Sequence, residues 1–236
     1  MTTTRIALLL LVIWPCLVHG QHDAALWTGF SVNAPVNKRF ELSASPEVRL
    51  FENLSKVQSA FIDLGAQREL NKYLFVSANY RIGGRNNDDY YLLRQRISLG
   101  LGLKYSPGDF RFSWQCKIQA SRTGAQSETD PDFASTLRNK FSVKYSGLKK
   151  TDLASSFEIF NESGQYGDLH LTDWRWQCAI ERRVFNKRNS VSLGYLIQRD
   201  LDNDVPGLDF IILVGYQWET GILKKKKETT DPVPVN

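Results

Sequence analysis

The sequence predicts an all-β chain, an antiparallel up-and-down transmembrane β-barrel of ten or twelve strands. Three observations predict it. The chain opens on a secretory leader, and most of the chain beyond it alternates apolar and polar residues with period two. Between the alternating runs, short turns and longer polar connections take turns.

The leader reads "MTTTRIALLLLVIWPCLVHGQHD". Arg5 precedes an apolar run from Ile6 to Leu17, which closes on Val18-His19-Gly20. That pattern marks residues 1–20 as a signal peptide cleaved after Gly20. The run is shorter than the ~20 apolar residues of a spanning helix. Cys16 lacks the small residues of a lipidation site before it, and it leaves with the leader. The barrel domain is then 21–219, followed by a disordered basic and Pro-Val tail, 220–236. Removing Arg5 from the 30 Lys+Arg leaves 29 against 25 Asp+Glu. So mild a balance excludes an argument for nucleic acid.

Eleven runs succeed one another. The first starts near 25 with "LWTGFSV"; the second starts near 39 and is interrupted by Pro46. The third and fourth start near 57 and 73. The fifth, 91–105, sets Leu93, Ile97, Leu99, Leu101, Leu103 and Tyr105 on one face, and Arg94, Arg96, Ser98, Gly100, Gly102 and Lys104 on the other. The sixth opposes Phe110, Phe112, Trp114, Cys116, Ile118 and Ala120 to Arg111, Ser113, Gln115, Lys117, Gln119 and Ser121. In the seventh, starting near 135, Leu137, Phe141, Val143 and Tyr145 oppose Arg138, Lys140, Ser142 and Lys144. The eighth and ninth start near 151 and 169, the tenth near 189. The eleventh, from near 208, aligns Phe210, Ile212, Val214, Tyr216 and Trp218. A helical period fits none of these.

The short turns are "VNKR" (36–39), "LNKY" (70–73), "SPGD" (106–109), "GLKKTD" (147–152) and "FNKRN" (185–189). Several of the connections between them are longer and more polar, such as "TGAQSETDPDF" (123–133) and "DLDNDVPG" (200–207). Single-chain bacterial barrels have even strand numbers, which makes one of the eleven runs a false strand. Either 25–34 does not span, or 39–52 hides a break at Pro46.

Alternation is shared by soluble lipocalin-like barrels, which put the apolar face inside. Three features favour a lipid-facing apolar surface. The polar face is densely charged, from Glu41, Glu47 and Arg49 to Asp173, Arg175, Glu181 and Arg183. Aromatics such as Tyr73, Tyr105, Phe110, Tyr145, Phe185, Tyr216 and Trp218 gather at the short turns, where an interface girdle belongs. The runs are also long enough to cross the hydrocarbon core, which takes ~9–11 residues of tilted strand. The repeated "WQC" at 114–116 and 176–178 puts each Cys two residues from a Trp, on the apolar face. Cys116 and Cys178 are thus small hydrophobes, on the sixth and ninth runs, too far apart to bridge.

Four stretches, "LWTGFSV", "FIDLGAQRELNKYLFVSANYRIGGR", "LRNKFSVKY" and "VFNKRNSVSLGYLIQRDLDNDVPGLDFIILVGYQW", resemble a family of exported bacterial proteins, domain of unknown function 2490, common in Bacteroidetes-type bacteria. The resemblance spans about Ala25 to Trp218. It implies an outer-membrane β-barrel and carries no catalytic motif, cofactor or substrate. Members tend to finish on an aromatic residue; here Trp218 fills that place, yet the chain continues through Lys224 to Lys227.

Chemistry is sparse. Ser163 and His170 offer a nucleophile and a base near one rim, so a lipid acyl hydrolase is an alternative. "NESG" (161–164) puts Asn161 where such a base would stand, and a polar loop with a rim histidine is the simpler reading. Isolated Cys and His residues lack metal-ligand spacing, and no cofactor is expected. A soluble exported barrel with a small apolar ligand is a further alternative.

The most function-like feature is a basic wall from three successive runs: Arg94, Arg96, Arg111, Lys117, Arg138 and Lys140, with Lys144. It fits an anionic solute in a narrow conduit. Equally, Asp173 and Glu181 on one side and Glu47 and Asp63 on the other are placed to neutralise it. The lumen would then be a salt-bridged plug, which a barrel of this size favours. The expected function is a non-enzymatic outer-membrane protein, structural or an anion-preferring pore. Its expected partners are outer-membrane lipid and, during biogenesis, the barrel-assembly machinery.

Overall fold

The computed structural model describes residues 24–87, 90–124, 132–163, 168–185, 188–201 and 208–221. The leader, and the tail from 222 onward with Lys224 to Lys227, lie outside the described residues. The described residues form eleven strands: β1 (Ala24–Asn37), β2 (Phe40–Phe51), β3 (Lys56–Glu69), β4 (Leu74–Asn87), β5 (Tyr90–Tyr105), β6 (Phe110–Gly124), β7 (Asp132–Leu148), β8 (Thr151–Ser163), β9 (Leu169–Val184), β10 (Asn189–Asp200) and β11 (Leu208–Glu219). Each pairs antiparallel with its sequence neighbour, and the sheet closes into a barrel by β11 returning to β1.

All eleven runs are therefore strands, and the reduction to ten or twelve is corrected. Parity assumes that the first and last strands meet antiparallel. Here they meet parallel, from Ala24 opposite Phe210 to Asn33 opposite Glu219. Parallel ladders satisfy both edges with evenly spaced, slanted hydrogen bonds, so an odd count closes without an open edge.

Pro46 does not break β2 either. Its missing N–H costs ladder bonds to β1, where pairing lapses between Gly29/Glu47 and Val32/Ala44 and resumes in the same register. The Ser31 and Ser45 hydroxyls meet at 2.8 Å within that gap and tie the strands together.

Burial is inverted relative to a soluble barrel. On β5, Leu99 is 63 % exposed and its neighbour Ser98 4 %; on β6, Ile118 is 67 % exposed and Gln119 4 %. Asp152, Glu158, Ser121 and Ser190 are likewise buried, while Leu93, Ile97, Leu101, Leu103, Ile180, Leu193 and Ile212 face outward. The pleat sends successive side chains to opposite faces, so one alternation sets a polar lumen inside an apolar wall. Trp176 and Ile180, which flank Cys178, are outward, as is Ile118 beside Cys116. The two cysteines are free and stand on non-adjacent strands.

Candidate functional site in the lumen

The basic wall assembles on β5, β6 and β7, and strand register sets like charges against each other. Arg81 on β4 lies opposite Arg96, Lys117 opposite Arg138, and Arg111 opposite Lys144. Like charges directly across a ladder destabilise a sheet. Partners from other strands must offset them.

Most of those partners come from β8, whose acids the alternation pattern does not single out. Glu158 accepts from Arg138 Nη2 at 2.7 Å and lies 2.9 Å from Lys140 Nζ. Asp152 receives Lys144 at 3.1 Å and Arg183 at 3.3 Å. Of the four acids expected, Glu181 serves the wall, 2.7 Å from Lys144. Asp63 is taken by Arg81, whose Nε donates at 2.9 Å, and Glu47 by Arg49 at 2.7 Å. Asp173 instead accepts from Gln198 Nε2 at 3.3 Å.

Two members of the wall have a different setting. Lys117 reaches over β5 to donate to Asn79 Oδ1 on β4 at 2.9 Å. Gly100 makes the crossing possible, because a Cβ there would lie 2.9 Å from Lys117 Cγ and 2.7 Å from Ser77 Oγ. Among the charges that act most strongly on Arg96, the cations Arg81, Arg94 and Arg138 outnumber the acid Asp63. Around Lys117 the strongest are Arg138, Lys140 and Arg96, again against Asp63. This part of the lumen, four of the eleven strands from β4 to β7, keeps an excess of positive charge. Arg94 stands opposite Gly83 and Thr123 on the same wall, and Arg111 is exposed near the β5–β6 turn.

Aromatic side chains fill the remaining width. Arg138, Phe160, Arg175, Trp27, Arg49, Phe61 and Arg81 form a continuous cation–aromatic ladder from β7 through β8, β9, β1, β2 and β3 to β4. Successive separations are 5.3, 4.4, 5.6, 3.5, 5.0 and 3.6 Å. Arg175 spans β10 and β11 to reach Trp27, and the inner faces of those two strands hold the buried Leu196 and Ile211. Each desolvated cation–aromatic contact contributes about 2 kcal/mol. The Nε atoms of Arg138 and Arg175 are buried without a hydrogen-bond partner among the described residues. Trp27, Phe61 and Phe160 are hard to find in the sequence because they sit on the polar side of the alternation. Their signal is register: Phe61 shares its face with Asp63, Gly65 and Gln67.

Ser163 and His170 fall at the end of β8 and the start of β9. Ser163 pairs with Leu169, and His170 with Glu162, one position out of step. The pleat turns the two side chains to different faces. No group of three or more His, Cys, Asp or Glu fit for a metal occurs among the described residues.

A search of curated proteins finds no match. Residues 24–205 match the family described as Protein of unknown function (DUF2490). The inverted β-barrel is thus the fold of a DUF2490 chain, and this protein belongs to that family.

Proposed function

We propose that this chain is a non-enzymatic outer-membrane β-barrel, structural in role, with a lumen closed by charged and aromatic side chains. One observation carries the membrane reading: the inverted burial, with Leu99 and Ile118 outward and Ser98 and Gln119 inward. Water would penalise so continuous an apolar wall, whereas lipid accepts it. Its strands, 12 to 17 residues long, exceed what a tilted crossing needs. The cation–aromatic ladder supports the plug. The different facing of Ser163 and His170 supports the non-enzymatic reading over the hydrolase.

A second reading, a narrow anion conduit, is favoured by the cation excess around Arg96 and Lys117. Planar-bilayer recording of the refolded mature protein separates the two. Insertion without steady openings is the expected result. Steady anion-selective openings that vanish in an Arg96→Glu/Lys117→Glu variant would replace the plug with a conduit. Failure to insert would overturn the membrane reading itself.

A further inference from the structure

The topology sorts charge between the two ends of the barrel. All five connections at the end where β1 and β11 finish are short in sequence, and among their described residues are Lys38, Arg39, Lys72, Lys149, Lys150 and Arg188, every one exposed. Asp109 is the one acid within those connections; Glu41, Glu69 and Glu219 stand beside them at the ends of β2, β3 and β11, with Glu69 paired to Lys104. The connections at the opposite end carry acids such as Glu52 and Asp168 and neither Lys nor Arg in sequence, although Lys56, the first residue of β3, pairs with Glu52 at 2.8 Å. Along the chain these segments alternate, so their charges intermix and only the folded barrel separates them.

An outward aromatic belt runs beside the basic rim. Tyr73, Tyr105, Phe110 and Trp218 are all exposed, and Phe185, the residue after β9, is 94 % exposed. The rings are ordered against one another: Phe110 and Tyr145 lie 4.9 Å apart between centroids, and Tyr73 and Tyr105 6.5 Å. Lys72 Nζ sits 4.7 Å above the Tyr73 ring, which ties the cationic ring to the belt. Aromatic side chains occupy the headgroup level of a bilayer, and cations just beyond them meet the lipid phosphates.

From this geometry we infer that the short-turn rim is a docking surface for anionic glycerophospholipid headgroups, which the ring of Lys38, Arg39, Lys72, Lys149, Lys150 and Arg188 selects over zwitterionic ones. The inference rests on the membrane reading above and adds the identity of the lipid at one leaflet. A guanidinium or ammonium beside the phosphate of phosphatidylcholine competes with the choline on the same headgroup. Beside phosphatidylglycerol it does not.

Tryptophan quenching tests this, because Trp218 lies at the basic rim and Trp176 on the outer wall. The refolded protein is reconstituted into vesicles of phosphatidylcholine containing brominated phosphatidylglycerol or brominated phosphatidylcholine. The relative binding constant is expected to favour the glycerol lipid by about fivefold or more, the worth of one surface-adjacent cation. It is expected to fall toward unity at high salt and in a Lys38→Glu/Arg39→Glu/Lys72→Glu/Lys149→Glu variant. That set leaves out Lys150, whose φ of 62° in the β7–β8 turn makes its backbone less tolerant. Salt titration of the wild type decides the same question if the variant does not fold. Equal quenching by both lipids at low salt would overturn the inference and leave the membrane reading intact. Quenching by neither would overturn the membrane reading.

Discussion

Glu158 keeps only 6 % of its surface exposed while Arg138 and Lys140 both converge on one of its oxygens. Two cations thus depend on one carboxylate in a setting with little water to take its place. Breaking a buried pair by removing one partner leaves uncompensated charge and costs about 3–5 kcal/mol. Glu158→Gln is therefore expected to lower unfolding stability in lipid vesicles by that order, read from denaturant titration. Adding Lys140→Met to the same chain should recover part of the loss, since one stranded cation is gone. An unchanged midpoint for Glu158→Gln would show that the wall is neutralised elsewhere. Asp152 repeats the arrangement nearer the short-turn rim, between Lys144 and Arg183. Neither acid stands out in "TDLASSFEIF", because a lone carboxylate in an otherwise apolar or hydroxyl-rich stretch resembles any half-exposed strand residue.

Among the elements, the β1–β11 seam is the feature that alternation did not foretell. Its parallel register places Thr28 opposite Val214. A Thr28→Cys/Val214→Cys chain, with Cys116 and Cys178 replaced by serine, is expected to form an intramolecular disulfide on oxidation of the folded protein. The closed loop would run faster on a denaturing gel, and Thr28→Cys/Ile212→Cys, two positions off register, would not. Cross-linking in neither chain, or only in the second, would refute the parallel closure. The strands themselves were legible, as β5 and β6 illustrate, because a period of two is written in the nearest neighbours. Pro46 was misleading for a local reason: it removes a donor, but the Ser31–Ser45 contact restores the tie across the same gap.

For the molecule as a unit, an odd number of strands separates the ends of the barrel. β1 begins at the acidic rim, whereas β11 finishes at the basic one. Epitope tags placed before Ala24 and after Gly221 are therefore expected to lie on opposite sides of a membrane. Protease added to intact cells should remove one tag and leave the other until the cells are broken. Removal of both, or protection of both, would be incompatible with an eleven-stranded spanning barrel.

The strands, the apolar face of each and the cationic character of the lumen are all written in the linear order of residues. Those properties depend on residues one or two positions apart, and the pleat converts them directly into inside and outside. Folding in three dimensions was needed to fix how the barrel closes, which acids meet the wall, how Trp27, Phe61 and Phe160 fill the lumen, and how charge divides between the rims. Each of these is a relation between strands distant in the chain. Arg175 meets Trp27 only because closure of the barrel through β11 brings β1 to within three strands of β9, and nothing local to either residue specifies that meeting.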